Sequence, residues 1–322
     1  MRKVFLAAAT AALAAAMVTG VSADDVVVRT SVGSGEVVFT ETDKAAELSA
    51  EELSALVKDA IASAKEKETL SLFLDAEAKV SIKFDEQNTM EMTGTAIGQA
   101  EKNADKNYAN FTYAFDGFGN SMGGTMESYG WEADGHEYSA FNDGSGWKVE
   151  DICIIDKIYE IIDEVIDSKE AQGFNLSGLL PNLYEENGQQ FYVCMYNKDS
   201  VMETANGFDG AELYTGLADS ILGDNDLKLI LVINAETYLP RAFTIDASDS
   251  EGSIPGELFG TEGSLGFSTG DLYVTYLMNE DASEIEIPDE VLETPVEENV
   301  VHKALDQIEG LLEGAAAKSD AA

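Results

Sequence analysis

The feature of the sequence that most constrains the fold is a long alternation of apolar and polar residues between positions 70 and 84. Every even position in this stretch is apolar: Leu70, Leu72, Leu74, Ala76, Ala78, Val80, Ile82 and Phe84. Successive side chains of a β-strand point to opposite faces of a sheet, so the pattern predicts one strand with a buried face and a solvated face. Strands usually have about 5–6 residues. A strand of this length predicts a strongly curved antiparallel sheet.

Shorter alternating segments follow, and turn residues separate several of them. Asp-Gly at 134–135 and Asn-Asp-Gly at 142–144 are typical of tight hairpin turns. A Val-rich segment within 24–42 predicts a further strand, whereas the Gly-, Ser- and Glu-rich residues 248–266 predict a loop. The other predicted strands cover residues 89–100, 108–115, 122–132, 136–141, 147–149, 189–196, 227–234, 237–246 and 267–279.

Helical spacing of apolar residues predicts helices between the strands and after them. The first helix covers about 49–67, and Ser49 with Glu52 forms a capping box at its start. Further helices are expected at 151–169, at 200–222 and in an amphipathic stretch after Pro295; the second of these contains three glycines, which weakens the helical pattern. The fold class is therefore α+β.

The first 23 residues have the three parts of a secretory signal peptide. Two basic residues precede an apolar run, and small residues precede Asp24, so we expect cleavage after Ala23. The alternative is a membrane anchor, but the apolar run is shorter than the ~20 residues that span a bilayer. No cysteine precedes Cys153, so the chain lacks the lipobox of a bacterial lipoprotein. We expect a secreted or extracytoplasmic protein without a transmembrane segment.

These patterns divide the chain into four parts. A signal peptide at 1–23 is followed by an N-terminal extension at 24–48 and a main domain at 49–295. A C-terminal amphipathic helix with an acidic, Ala-rich tail occupies 296–322.

The net charge bears on the choice of partner. The chain has 61 acidic and 19 basic residues, a formal net charge of −42. Such a surface repels phosphate groups, which argues against nucleic acid as a partner. Because 45% of the residues are hydrophobic, the acidity does not imply disorder. A basic protein or a cell-wall component is the alternative kind of partner.

The two cysteines, Cys153 and Cys194, are predicted to form one disulfide, as expected in an oxidising compartment. The alternative is a pair of buried thiols.

No pattern of catalytic or metal-binding residues predicts an enzyme, a cofactor or a metal site. His136 and His302 lie in different elements without further zinc ligands, and His136 is interpreted as a solvated hairpin residue. Acidic turns at 116–120 and 224–226 do not complete a calcium loop. Residues 266–270 match the G-x-S-x-G pattern of hydrolases, but strand-like residues follow Ser268 where that motif requires a helix.

The order of elements resembles the LolA-like and LppX-like family of extracytoplasmic proteins. The matching segments are 68–84, 134–138 with 146–148, 232–241 and 285–291. The resemblance implies a half-barrel whose concave face is covered by helices around an apolar cavity. Family members of known role carry lipids or lipoproteins in that cavity.

We therefore predict a non-enzymatic protein that binds an apolar or amphiphilic, lipid-like ligand. The alternatives are an acidic envelope-associated module that docks a basic partner and, more distantly, a hydrolase using Ser268. Flexible methionines beside aromatic rings suit an adaptable apolar pocket, although the same residues would also suit a core filled by helices. The predicted ligand-binding residues are Leu72, Leu74, Val80, Ile82, Met90, Met92, Phe111, Tyr113 and Phe115.

Overall fold

A computed structural model describes residues 25–31, 35–48, 50–85, 88–117, 119–151, 178–196, 227–256, 261 and 263–297. Fourteen strands and two helices lie within these ranges. The signal peptide and the predicted helix at 200–222 lie outside the described residues. The predicted helices at 151–169 and after Pro295 do so almost entirely.

All fourteen strands belong to one antiparallel sheet, with the order β1-β2-β9-β10-β11-β12-β14-β3-β4-β5-β6-β7-β8 and with β13 paired to β14. The helices are α1 (Ala50–Glu66) and α2 (Asp289–Leu292). The strands are β1 (Asp25–Arg29), β2 (Glu36–Ala45), β3 (Thr69–Lys83), β4 (Thr89–Asn103), β5 (Lys106–Gly117), β6 (Asn120–Ala133), β7 (His136–Asn142), β8 (Lys148–Glu150), β9 (Asn182–Glu186), β10 (Gln189–Tyr196), β11 (Lys228–Asn234), β12 (Pro240–Asp246), β13 (Glu251–Pro255) and β14 (Ser264–Asn279).

The long strand predicted at 70–84 is confirmed as β3. It pairs with β4 along its whole length, from Thr69 opposite Asn103 to Lys83 opposite Thr89. The predicted turn at 134–135 is also confirmed, because Asp134 and Gly135 have φ values of 55° and 77°. Two successive residues with positive φ match the twist of the flanking strands in a two-residue hairpin.

The predicted N-terminal extension contributes two strands to the same sheet. The antiparallel hairpin of β1 and β2 joins the sheet where β2 pairs with β9. Val26 and Val28 are then buried against Val232 and Leu277, which belong to β11 and β14. Since three strands separate β2 from β12 in the sheet order, the sheet must curl strongly to bring β1 over β11 and β14.

Helix α1 covers the other face of this curled region. Its Leu56 and Ala60 are buried in a cluster with Cys194, Leu229 and Leu231, whose side chains point away from the β1–β2 hairpin. Within the described residues, α1 packs on β10, β11 and β12 and, through Ala64, on Leu70 of β3. The predicted cover of the concave face by helices is not shown.

The prediction of a loop at 248–266 was wrong in part. Residues Glu251–Pro255 form β13, which pairs with the beginning of β14 from Glu251 opposite Ser268 to Pro255 opposite Ser264. Backbone pairing to a neighbouring strand defines β13. A side chain also holds the adjoining turn, because Thr269 Oγ1 accepts a hydrogen bond from Ser250 N (2.8 Å) and donates one to Ala247 O (2.9 Å).

Candidate functional site

The register of β3, β4 and β5 places the nine predicted ligand-binding residues on one face of the sheet. Residues opposite each other in an antiparallel pair share a face. Val80 lies opposite Met92, and Ile82 opposite Met90. We call this surface the apolar face. It is the same face on which α1 packs, and it consists of Leu72, Leu74, Val80, Ile82, Met90, Met92, Phe111, Tyr113 and Phe115 with the residues between them.

Small residues form a trough along the middle of the apolar face. Strand β4 contributes Gly94, Ala96, Gly98 and Ala100 at successive positions of this face. A Cβ placed on Gly98 would lie 3.2 Å from Cδ2 of Phe111. The ring of Phe111 therefore lies down over the neighbouring strand. Low side chains on β4 lie between larger ones on β3 and β5; the Phe111 ring covers Gly98, which is buried, whereas Ala96 and Ala100 stay partly exposed.

The aromatic rings of β5 beside this trough also lie over glycines of the neighbouring strands. Phe111 and Tyr113 are stacked along β5 with their ring centroids 5.9 Å apart and their planes 25° apart. A Cβ on Gly124 would approach the ring of Tyr113 to 3.2 Å, so glycine on β6 accommodates this ring as well. Both rings are half-buried, and they present apolar surface to whatever occupies the trough.

The structure divides the predicted residues into two groups. Ile82 is 2% exposed and packs with Leu265 and Phe267, and three of the other predicted residues lie against this cluster: Val80, Met90 and Met92. These four side chains pack together with residues at the beginning of β14. The five around the trough are half-buried: Leu72, Leu74, Phe111, Tyr113 and Phe115. Their role in binding stays a prediction.

Two residues of the apolar face were missed by the sequence analysis. Met122 lies opposite Phe115 and is 60% exposed, and Tyr276 lies opposite Leu74 and is 37% exposed. Burial raises the pKa of Tyr276. Met122 begins an alternating segment, so extension of the period-two pattern into β6 would have found it. Tyr276 could not be placed without knowing that β14 pairs with β3.

A second hollow, of about 460 Å³, lies where β1 meets β3, β12 and β14. Several of its charged side chains bind one another. The Arg29 guanidinium bonds to Asp246 and Asp249 at 3.0 Å and lies 3.6 Å from Asp271. Asp271 also accepts a 2.7 Å hydrogen bond from Lys79, which lowers its pKa. Because the guanidinium and carboxylates bind each other, this network fastens the β1–β2 hairpin to the sheet.

The hydrolase-like pattern does not form a nucleophile elbow. Ser268 lies within β14, opposite Ser81 of β3 and Glu251 of β13. A nucleophile elbow requires a sharp strand-to-helix turn. His136 is exposed at the start of β7, as predicted, with its Nδ1 at 3.1 Å from the Asp151 carboxylate.

The remaining predicted features concern metals, membranes and the disulfide. The described residues contain no group of three or more His, Cys, Asp or Glu side chains that could hold a metal ion. A membrane-spanning helix is likewise not found in the described part of the chain. Cys194 is buried on β10, whereas Cys153 lies outside the described residues. The disulfide therefore stays a prediction.

Comparisons with known proteins give a weak structural likeness. No protein-family model matches the chain, and no curated protein matches its sequence. Among solved structures, the crystal structure of the lipoprotein LppX from Mycobacterium tuberculosis matches with a TM-score of 0.27 and 8% sequence identity. The match covers 74% of this chain and 100% of LppX. The likeness is to the family that the sequence resembles, but a TM-score this low does not establish a shared fold.

Proposed function

We propose that this chain is an extracytoplasmic, non-enzymatic protein that binds an apolar or amphiphilic, lipid-like ligand in the trough of the apolar face. The observation that carries the proposal is the trough itself: small residues of β4 lie between the half-buried side chains of β3 and β5. An acyl chain laid along β4 would contact Leu72 and Leu74 on one side and the rings of β5 on the other.

Binding in this trough would be driven by removal of apolar surface from water. Each CH₂ group transferred from water contributes about 0.8 kcal/mol, so an acyl chain of moderate length gains enough to offset the loss of its freedom on binding. The trough offers rings and aliphatic groups without a fixed pattern of hydrogen bonds, which suits selection by shape and length. Met122 and Met126, which lie opposite Phe115 and Phe111, can adjust to such a ligand.

The test is uptake of a fluorescent fatty-acid probe by the mature protein, together with native mass spectrometry of gently purified protein. Ala96→Phe would fill the trough, because Ala96 lies between Ala76 and Tyr113 on the apolar face. Ile97→Phe is the matched control, since Ile97 is the next residue of β4, points to the opposite face and is 45% exposed.

We expect Ala96→Phe to weaken probe binding by at least about tenfold, which corresponds to 1.4 kcal/mol, and Ile97→Phe to leave it unchanged. Probe binding that survives Ala96→Phe would place the ligand elsewhere. A protein that is repeatedly empty and takes up no probe would refute the proposal and favour the acidic interaction module.

A further inference from the structure

A band of aromatic rings lies on the opposite face of the sheet, at the ends of β5, β6 and β7. Tyr108 lies opposite Tyr129, and Trp131 lies opposite Tyr138. Trp147, in the turn before β8, packs on Tyr129 with the ring centroids 5.5 Å apart. These five residues, which we call the aromatic band, alternate along β5 and β6 with residues of the apolar face. The band is therefore separate from the trough.

The rings of the band are packed but not coplanar. Tyr108 and Tyr129 are 5.0 Å apart with planes tilted by 43°, and Tyr129 and Trp147 are tilted by 53°. Trp131 and Tyr138 are stacked, with ring centroids 5.5 Å apart and planes 22° apart. Four of the rings, all except Tyr108, pack against a buried cluster of Ala140, Val149 and Val291. All five rings are half-buried. The band therefore combines tilted rings with one nearly parallel pair.

Three carboxylates border the band, and each is bound only by neutral donors. Tyr129 OH donates to Glu127 at 3.3 Å, and Trp147 Nε1 donates to Glu290 at 3.2 Å. Glu101, which is opposite Tyr108 in the register, accepts hydrogen bonds from the side chains of Gln99 and Ser283. Within the described part of the chain, no Lys, Arg or His forms an ion pair with these three carboxylates.

The band is consequently a region of negative potential. Burial and the charge of Glu127 raise the pKa of Tyr129 to about 12, and the same two causes raise the pKa of Tyr108. Lys106 lies opposite Trp131 on this face and contributes one positive charge, with its Nζ donating to the carbonyl of Ile285 at 3.2 Å, so the three carboxylates still leave the band net negative. The faces of aromatic rings are themselves negative and attract cations.

We infer that the aromatic band binds a small organic ammonium cation of the choline type. Tilted ring faces supply cation–π and methyl contacts, while Glu101, Glu127 and Glu290 supply the opposite charge. A methylated ammonium group fits better than a metal ion, because it is weakly hydrated and gains from apolar contact. The inference is independent of the proposed lipid-like ligand, since it concerns the other face of the strands.

The protein carries its own reporter for this site. The chain has two tryptophans, Trp131 and Trp147, and both belong to the band. Titration of the mature protein with choline should therefore give a saturable change in tryptophan fluorescence. The neutral isostere 3,3-dimethyl-1-butanol, which has the shape of choline without its charge, should bind at least about tenfold more weakly, as expected for loss of a cation–π and ionic contribution.

Two variants and one control test whether the carboxylates and rings of the band contribute to choline binding. Glu127→Gln should weaken choline binding about threefold, the effect of removing one partly exposed charge. Glu91→Gln is the matched control, because Glu91 is exposed on β4, lies on the same face of the sheet and is far along the strand from the band. It should leave the affinity unchanged. Trp147→Leu should weaken binding roughly tenfold, measured by calorimetry, with the circular dichroism spectrum unchanged.

Four results would overturn the inference: no fluorescence response to choline, equal binding of the neutral isostere, equal effects of Glu127→Gln and Glu91→Gln, or a saturable response to a neutral oligosaccharide with none to choline. The last would identify a sugar site. Binding of a lysine-rich peptide with no response to choline would likewise replace the small cation by a protein partner. The fatty-acid assay on the same samples shows independently whether the proposed function holds.

Discussion

Replacement of Phe39 by alanine should destabilise the whole sheet, although Phe39 lies in the segment that the sequence set apart from the main domain. Phe39 is fully buried on β2 and meets the ring of Phe191 edge-on, with the centroids 5.4 Å apart. Its cluster also contains Val26, Val28 and Val232. A buried Phe→Ala change usually costs about 3–5 kcal/mol, and the edge-to-face pair accounts for about 0.5–1.5 kcal/mol of this.

The assay is urea unfolding of the mature protein followed by circular dichroism, with wild type and variant compared at one pH. A loss of about 3–5 kcal/mol is large against the ~5–15 kcal/mol that holds most proteins folded, so the midpoint should fall clearly. Val38→Ala is the matched control. Val38 is the neighbouring residue, points to the other side of β2 and is 38% exposed, so its truncation should cost no more than about 0.5 kcal/mol.

The two variants show whether the β1–β2 hairpin is part of the hydrophobic core or is only attached to the edge of the sheet. If Phe39→Ala lowers the free energy of unfolding by less than about 1 kcal/mol, or by no more than Val38→Ala does, then the β1–β2 hairpin does not cover the core residues of β11 and β14. The curl of the sheet would then be refuted as well, because β1 reaches those strands only if the sheet curls.

Three further predictions concern the Lys79–Asp271 ion pair, the trough and the cysteines. The hydrogen bond from Lys79 lowers the pKa of Asp271 below its ordinary value of 3.8. This pair therefore stabilises the fold above that pH and ceases to do so as the pH falls through the lowered pKa. The difference in unfolding free energy between wild type and Lys79→Met should accordingly shrink below about pH 4. Gly98→Val should destabilise by about 1–3 kcal/mol in urea unfolding, since it would press on the neighbouring ring. Thiol labelling of the unfolded, unreduced protein should find Cys153 and Cys194 unreactive, and two reactive thiols would contradict the disulfide.

Local patterns predicted the strands whose two faces differ most in polarity. Strand β3 alternates over its whole length, and the Asp-Gly turn before β7 needs positive φ, so both were predictable from nearby residues. Strand β13 was not, because Glu251–Pro255 has no alternation and is defined by pairing with β14. The curl of the sheet was predicted only in general terms, since the buried cluster that contains Val28 also contains residues of β11 about two hundred positions away.

The candidate site was predictable to the same extent. Period-two spacing placed Phe111, Tyr113 and Phe115 on one face, and the register confirms that they share it with Leu72 and Leu74. Spacing could not show that Ile82 is packed under β14, because that strand lies far along the chain. The aromatic band was missed for a related reason: its rings occupy the face expected to be solvated, and Trp147 joins them only through the turn before β8.

The two faces share strands but should act independently, and this can be measured. In β4, β5 and β6, side chains that contact the trough alternate with side chains that face the aromatic band, so Ala96 and Glu127 lie on opposite sides of the sheet and share no partner. Effects of substitutions at separated sites without shared partners usually add within about 0.3–0.5 kcal/mol.

The double variant Ala96→Phe with Glu127→Gln should therefore lose fatty-acid binding as Ala96→Phe does and choline binding as Glu127→Gln does, with no extra loss in either. Coupling well above 0.5 kcal/mol would mean that the two ligands communicate through the sheet. In that case the two halves of an amphiphile with an ammonium head group could not be treated as binding independently. The assignment of one ligand to each face would then be wrong.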